Sequence, residues 1–200
     1  MQCNYANRTS MNFDYNKSFQ ISELPLPELK IFTYPAPVLK KIAEPISEFN
    51  QELKDLAEQM IQTMYKSYGI GLAAPQIGKS IRLFVSDIDF DLDKDEDDLI
   101  TNANPKVYIN PKIIEHSGKM IYEEGCLSFP GIYEKVNRHE EITLEYQDID
   151  GETHTVTATG IESVCLQHEL DHLDGIVFIE KLSPLKQSYL KKKFLKSKKK

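Results

Sequence analysis

The chain has 200 residues, of which 40% are hydrophobic and 28% are charged, and its formal net charge at pH 7 is −7. This length suits one domain with a hydrophobic core, and the composition is that of a globular protein rather than a disordered chain. No run is long and apolar enough to cross a bilayer, and the first twenty residues lack the apolar stretch of a secretory signal. Three distant cysteines favour a reducing compartment over a disulfide framework. We therefore expect a cytoplasmic protein with no membrane contact.

The first part of the chain predicts little regular structure before one long helix. Residues 1–28 are polar and contain the run Leu24-Pro25-Leu26-Pro27, which disfavours helix, so we predict a poorly structured N-terminal extension there. From Ser47, a candidate N-cap, apolar residues recur at helical spacing; they are Leu53, Leu56, Ala57, Met60, Ile61 and Met64. This helix should end near Tyr68-Gly69.

The run GIGLAAPQ at residues 69–76 combines two glycines, two alanines and one proline. Small residues allow the backbone to come close to a ligand. The run lacks the lysine of a P-loop, and no dinucleotide-binding pattern follows it. Gln76 is its one side chain able both to donate and to accept hydrogen bonds.

Residues 87–98 have the sequence DIDFDLDKDEDD, with eight acids and one lysine. An EF-hand loop would need Gly at the sixth position and Glu at the twelfth, where this segment has Leu92 and Asp98. We therefore expect a solvated acidic loop rather than a calcium site. The predicted strands of the chain are residues 81–86, 107–110, 112–116, 136–146 and 153–159.

Cys126 lies in the run EGCLS at residues 124–128. A cysteine between Gly and Leu is most often a small buried residue. It could also supply a ligand to a metal ion, and the run alone leaves both interpretations open.

The run His168-Glu169-Leu170-Asp171-His172 has the pattern His-Glu-x-x-His. On a helix, residues four apart lie on one face, so two imidazoles can bind one metal ion and the intervening Glu can handle a proton beside it. Ile161, Val164 and Cys165 continue the same face, Thr159 is a candidate N-cap, and Gly175 marks the expected end. The alternative is an amphipathic helix with two hydrogen-bonded histidines.

The C-terminal segment is strongly basic. Residues 181–200 contain nine lysines and no acid, leaving 15 of the 24 basic residues to balance 31 acidic ones elsewhere. Pro184 is typical of a first helical turn, and Leu185, Tyr189, Leu190 and Phe194 predict an apolar stripe that docks this helix. Residues 191–200 form a lysine-rich tail.

Three motifs occur in order, GIGLAAPQ at 69–76, EGCLS at 124–128 and QHELDH at 167–172. Together they resemble peptide deformylase, and the resemblance extends over residues 29–190, which we treat as the catalytic domain. It implies an α+β fold in which antiparallel β-sheets wrap around a central helix carrying the histidines, with a C-terminal helix. It also implies removal of the N-formyl group from the formylmethionine of nascent polypeptides.

The resemblance implies a role for each matching residue. Cys126, His168 and His172 would be metal ligands, and a metal-bound hydroxide would attack the formyl carbon. Glu169 would transfer the proton, and Gln76 with the backbone N–H of Leu127 would stabilise the formyl oxygen. The expected substrate-binding residues are Ile70, Gly71, Glu124, Gly125, Ile161, Val164 and Cys165.

The resemblance also implies cofactor and partners. Fe(II) is the metal typical of the family, and Zn, Ni or Co would replace it in purified protein, since affinity alone favours zinc over Fe(II). The substrate would be N-formylmethionyl nascent peptides, and the lysine-rich C-terminal helix would contact the ribosome. Many bacterial members have Arg seven residues after the ligand cysteine; Tyr133 stands there in this chain, so preference along the peptide should differ.

Two other functions fit parts of the sequence. A zinc peptidase could use the same pentapeptide, although such enzymes usually complete the site with a third His or Glu rather than a cysteine. A non-catalytic metal-binding or partner-binding protein would need neither Glu169 nor Gln76, and both are present.

Overall fold

The structure of the chain, a computed structural model, describes residues 13–198. Within these residues, the α-helices are Gln51–Lys66 (α1), Gly160–Leu173 (α2) and Pro184–Ser197 (α3). The strands β1 to β10 are, in order, Phe19–Gln20, Gly71–Ala73, Leu83–Ser86, Asp91–Asp93, Leu99–Thr101, Lys106–Ser117, Met120–Gly125, Tyr133–Arg138, Glu141–Gln147 and Thr153–Thr159. Short 3₁₀ helices occupy Ile21–Glu23, Pro37–Lys40, Ala74–Ile77 and Phe178–Lys181. The predicted α+β class is confirmed.

The strands pair antiparallel and form three sheets in the described chain. The largest has the order β10-β9-β6-β3-β2, the second has the order β1-β5-β4, and β7 and β8 form a two-stranded ribbon. The two strands expected on either side of Pro111 are one strand, β6, which pairs with β9 across register shifts. Strand β2 lies at an edge of the largest sheet, so one side of its backbone is available beside α2.

Helix α2 is the central helix that the resemblance implied. Leu166 and Leu173 pack against Phe84, Tyr108 and Leu144 of the five-stranded sheet. Almost every side chain from the second turn of α2 onward is buried, as expected for a helix enclosed by other elements rather than exposed on one side. The helix ends before Gly175, whose φ of 70° lies in the left-handed region that glycine tolerates.

Helix α1 begins later than predicted. Its N-cap is Asn50, whose side chain accepts a hydrogen bond from the backbone N–H of Leu53 at 3.0 Å. Asn is as good an N-cap as Ser, so the predicted cap at Ser47 is wrong and the helix starts at Gln51. The apolar face packs as expected, since Met60 and Met64 are fully buried in the core.

The expectation that residues 1–28 are poorly structured is wrong for the part that is described. Phe19 pairs with Ile100 in the β1–β5 ladder, and Phe19 and Leu24 are 3% and 4% exposed. Polar side chains of α1 hold the segment that follows: Gln62 accepts from the N–H of Leu26 at 2.8 Å. Residues 1–12 lie outside the described residues.

The acidic segment is only partly a solvated loop. Residues 91–101, which we call the acidic hairpin, form β4 and β5, and β5 also pairs with β1. Asp87 is buried, and its carboxylate accepts hydrogen bonds from the hydroxyl of Tyr65 at 2.5 Å and the N–H of Asn104 at 2.7 Å. Composition alone could not predict these contacts, because the sequence does not distinguish a buried, hydrogen-bonded aspartate from an exposed one.

Helix α3 docks through a narrower stripe than predicted. Leu190 and Phe194 are buried in a cluster with Phe129, but Leu185 and Tyr189 are 84% and 62% exposed. The helix continues without a break to Ser197, so the boundary expected at residue 191 does not divide it. Lys199 and Lys200 lie outside the described residues. Between residues 13 and 198, no helix is long and apolar enough to span a membrane.

Candidate active site

The histidines of α2 and the cysteine after β7 come together in the folded chain. Cys126 Sγ lies 3.2 Å from His172 Nε2, and the two imidazole centroids are 5.0 Å apart. One ligand atom each of Cys126, His168 and His172 lies within 4.8 Å of the other two. One thiolate and two imidazoles suit a divalent ion such as zinc, iron, nickel or cobalt, so the donor set fits the metal that the resemblance implied.

A buried ion-pair network fixes the orientation of His168. Its Nδ1 donates a hydrogen bond to Glu124 Oε2 at 2.8 Å, which leaves Nε2 free to bind a metal ion. Arg138 donates from Nε and a terminal nitrogen to the two oxygens of Glu124, at 2.6 and 2.9 Å. Its other terminal nitrogen reaches Asp171 at 2.6 Å, and Lys181 also contacts Asp171 at 2.8 Å.

Charge and burial set the protonation states around the network. Burial opposes ionisation of Glu124, but Arg138 and His168 outweigh it and hold its pKa at about 2. Burial lowers the pKa of His172 well below its usual value, so the ring of His172 is neutral. Neutral imidazole is the form that binds metals.

The carboxylate of Glu169 lies beside the ligand cluster with free hydrogen-bonding capacity. It is 4% exposed, and its Oε2 has no hydrogen-bond partner among residues 13–198. Burial raises the pKa of Glu169 to about 7, so near neutral pH it can both accept and release a proton. A Cβ on Gly71 would come within 2.6 Å of Glu169 Oε1, so this carboxylate lies directly against the backbone of β2.

Gln76 links the first motif to the second. Its Oε1 accepts from the backbone N–H of Ala73 at 2.8 Å, which orients Nε2 toward Ser128 Oγ at 3.3 Å and Cys126 Sγ at 3.6 Å. Ser128 also donates from its backbone N–H to Cys126 Sγ at 3.4 Å. The amide N–H₂ of Gln76 is therefore held beside the cluster, where it donates to Cys126 and Ser128.

A cleft of about 500 Å³ opens onto this cluster. It is lined by all but one of the thirteen residues that the sequence assigned to the site, namely Ile70, Gly71, Gln76, Glu124, Gly125, Cys126, Leu127, Ile161, Val164, Cys165, His168 and Glu169. The exception, His172, lies behind Cys126. Val164 and Cys165 are buried, while Ile70 and Ile161 are about two-fifths exposed at the rim.

Comparison with known proteins decides the family. A sequence model described as Polypeptide deformylase matches residues 28–188. The chain belongs to the peptide deformylase family. It is 43% identical over 171 residues to the peptide deformylase of Chromobacterium violaceum, covering 86% of this chain and 96% of the relative.

Solved peptide deformylase structures agree with this assignment. The enzyme from Legionella pneumophila is 40% identical, with a TM-score of 0.77 over 86% of this chain and 96% of that one. A peptide deformylase from Synechococcus elongatus in complex with actinonin is 37% identical, with a TM-score of 0.74 over 84% and 89%. The chain is accordingly a deformylase that acts on formylated nascent peptides, and Cys126, His168 and His172 form a group that could hold a metal ion.

The structure adds deformylase site residues that sequence reasoning missed. Arg138 and Asp171 complete the network around Glu124, and Ser128 contacts both Gln76 and Cys126. Asp171 could have been suspected, because it stands between the two histidines. Arg138 gives no local signal, since its partners come from β7 and α2 only after folding. Glu124, expected to bind substrate, has its carboxylate occupied by Arg138 and His168.

Proposed function

We propose that the chain removes the formyl group from N-terminal formylmethionine with a divalent ion held by Cys126, His168 and His172. The observation that carries the proposal is the convergence of these three ligand atoms within 4.8 Å beside the buried carboxylate of Glu169. Three protein ligands leave a fourth position open, as in catalytic rather than structural sites.

When bound, the divalent ion would supply a Lewis acid and a water of lowered pKa. The family resemblance favours Fe(II) as the native ion. Zinc, nickel or cobalt would occupy the same donor set in purified protein, because affinity for such sites does not favour Fe(II).

Glu169 transfers the proton in this proposal. Its pKa of about 7 allows it to accept a proton from water at neutral pH and then donate that proton to the leaving amine. The formyl C–N bond breaks, formate leaves with the oxygen of water, and the peptide gains a free N-terminal amine.

Negative charge develops on the formyl oxygen during attack, and donors must face it. Gln76 Nε2 is oriented for this task by the Ala73–Oε1 hydrogen bond. The backbone N–H of Leu127, next to Cys126 in the cleft, is the second proposed donor. Both donors are held by the fold before substrate arrives, so no reorganisation is required of them at the moment of reaction.

The substrate peptide binds along β2 in this proposal. The edge of that strand, at Gly71, lies directly against Glu169, so a peptide aligned there has its first residue beside the cluster. The apolar wall for methionine is formed by Ile70, Ile161, Val164 and Cys165. Gly125, in the EGCLS motif, also borders the cleft. Burial raises the pKa of the Cys165 thiol, so it stays neutral and apolar.

We further propose that α3 contacts the ribosome in the cytoplasm. Leu190 and Phe194 dock the helix, while Lys192, Lys193 and Lys196 remain exposed. Exposed lysines bind phosphate backbones through counterion release without reading sequence, and a formylated nascent chain emerges beside ribosomal RNA.

The direct test is deformylation by anaerobically prepared, Fe(II)-loaded protein with its bound metal quantified. We expect hydrolysis of formyl-Met-Ala-Ser and no cleavage of unformylated Met-Ala-Ser; peptide-bond cleavage in the second peptide would instead indicate a peptidase. Cys126→Ala should lose the metal, with Cys165→Ala as the matched control that keeps it. Wild-type metal affinity in Cys126→Ala would exclude Cys126 as a ligand.

A further inference from the structure

The residue that follows the C-cap of α1 has an unusual backbone and a place in the cleft. Tyr68 has a φ of 57°, in the left-handed region that few non-glycine residues adopt. Its side chain lines the cleft and is 52% exposed, a large aromatic surface left to solvent. The next residue, Gly69, lies against Leu127 beside the metal ligand Cys126: a Cβ there would be 3.1 Å from the Leu127 Cδ1. The ring therefore borders the path by which a peptide reaches the reaction centre.

The acidic hairpin holds this ring in place. The hydroxyl of Tyr68 donates to Asp98 Oδ2 at 2.8 Å, and Lys94 Nζ lies 5.3 Å from the ring centroid. The backbone carbonyl of Asp98 accepts from the N–H of Ile21 at 3.2 Å, which ties the hairpin to the N-terminal segment. Tyr68 is thus anchored at its hydroxyl and on one side of its ring, while part of its surface remains open to the cleft.

The rest of the cleft favours apolar side chains over acidic ones. Among the described residues that line it, none is Lys or Arg, whereas Tyr122, Phe129 and Tyr133 add three more aromatic rings. Tyr133 is 68% exposed and lies over Gly125, where a Cβ would be 2.7 Å from its ring. A cation already occupies one side of the Tyr68 ring, so the open part suits an aromatic or large aliphatic group better than a second cation.

We propose that Tyr68 is a specificity-determining residue that selects an aromatic or large apolar side chain just downstream of formylmethionine. Asp98 of the acidic hairpin is its positioning residue. This inference rests on the proposed function, because it concerns the same peptide in the same cleft. In this proposal, the acidic hairpin affects substrate choice because Asp98 holds the Tyr68 ring in place. The acidic side chains themselves do not contact the peptide.

The test compares three peptides, formyl-Met-Ala-Ala-Ser, formyl-Met-Phe-Ala-Ser and formyl-Met-Ala-Phe-Ser, with metal-loaded protein. For wild type we expect one Phe peptide to have a higher kcat/KM than the Ala peptide, through a lower KM. Tyr68→Ala should reduce that preference, measured as the ratio of kcat/KM for the Phe peptide to kcat/KM for the Ala peptide, by about two- to tenfold. Absence of deformylation of all three peptides by wild type would contradict the proposed function itself.

The role of Asp98 is tested by a double-mutant cycle. Tyr68→Phe and Asp98→Ala should each weaken the Phe preference through KM, and the double variant should be no worse than either alone. Asp95→Asn, an exposed acid of the same hairpin, is the control and should behave as wild type. A Tyr68→Ala variant with unchanged preference, or with an equal loss of kcat/KM on all three peptides, would overturn the proposal. Additive losses in the cycle would exclude Asp98 as the positioning residue.

Discussion

The carboxylate of Glu124 accepts a hydrogen bond from Nδ1 of His168 at 2.8 Å while both of its oxygens are held by Arg138. This relationship selects the tautomer of His168 that has a lone pair on Nε2. It also gives Glu124 a role different from substrate binding, because a carboxylate engaged by three donors has little capacity left for a peptide. The metal binding proposed for Cys126 and the two histidines would therefore depend on Glu124, the partner of His168.

We predict that Glu124→Gln weakens metal binding by roughly 10- to 100-fold, the usual effect of removing the partner of a ligating histidine. The change removes the negative charge that orients His168, and it leaves Arg138 with Asp171 as its remaining acidic partner. Metal affinity should be measured by competition with a chromophoric chelator. Glu123→Gln, at the exposed neighbouring position, is the control. Equal affinities for all three proteins would show that the Glu124–His168 hydrogen bond does not support the ligand.

We predict that Glu169→Ala keeps the metal and loses most turnover. The three ligand residues remain, but the proton shuttle is gone, and such groups contribute roughly 10²- to 10⁴-fold. Bound metal and kcat should be measured on the same sample, so that a loss of rate is not confused with a loss of ion. Turnover close to wild type, with metal bound, would rule out Glu169 as the proton carrier.

We predict that Phe19→Ala lowers the free energy of unfolding by about 3–5 kcal/mol, the usual cost of a buried Phe→Ala change. Phe19 packs against Phe13 and Tyr65, with ring centroids 4.9 and 5.8 Å away. Denaturant unfolding measures the difference, and Lys17→Ala, on the exposed side of the same segment, should be near neutral. A cost below about 0.5 kcal/mol would restore the expectation that this segment is poorly structured.

The sequence pointed to residues that the fold brings together around one cleft, but it did not reveal the residues that surround them. His168, Glu169 and His172 stand in one pentapeptide whose spacing suggests metal chemistry, whereas only the family resemblance implied Cys126 as the third ligand. The role of Arg138 could not be predicted in this way. Its partners Glu124 and Asp171 come close to it only when the antiparallel β7–β8 ribbon forms and packs beside α2.

The same reasoning explains the errors at the two ends of the chain. Phe19 is buried because the acidic hairpin forms a sheet with it, and hydrophobic periodicity does not reveal pairing between distant segments. Leu185 continues an apolar stripe in sequence, yet the docking surface beneath α3 reaches only Leu190 and Phe194. In both cases, tertiary contacts determine whether the side chain is buried, and the local pattern of apolar residues does not predict it.

We predict that the ion pairs of Glu180 stabilise the fold above pH 5 and are lost in acid. Partial burial alone would raise the pKa of Glu180, but Lys40 at 2.5 Å and the N–H of Val177 outweigh it and lower the pKa. A lowered folded-state pKa contributes stability above the unfolded value of about 4.3, and this is lost as pH falls through the folded value.

Unfolding of wild type and Glu180→Gln across pH 3–7 measures this contribution. The wild-type advantage should be under about 1 kcal/mol, because the pair is partly solvated, and it should shrink as the pH falls below the unfolded value of about 4.3. Glu52→Gln, an exposed change of the same charge on α1, controls for net charge. A difference that does not vary with pH would contradict the assignment of this stability to the Glu180 carboxylate.

We predict that the exposed lysines of α3, rather than its apolar stripe, carry ribosome binding. Removing residues 191–200 would also delete Phe194, which is buried against Tyr34 and Phe129. A sharper variant therefore replaces Lys192, Lys193 and Lys196 with Glu and keeps the docked helix. Its co-sedimentation with ribosomes at low salt should fall strongly, and wild-type binding should itself weaken steeply as salt is added. Hydrolysis of a free formyl peptide should be unchanged, because these lysines lie outside the cleft.

The matched control replaces the exposed Lys41, Lys79 and Lys119 with Glu, which changes the net charge equally. Equal co-sedimentation of the α3 variant and wild type would show that these lysines do not bind the ribosome. An equal loss in both triple variants would show that net charge, rather than the position of the lysines on α3, causes the effect.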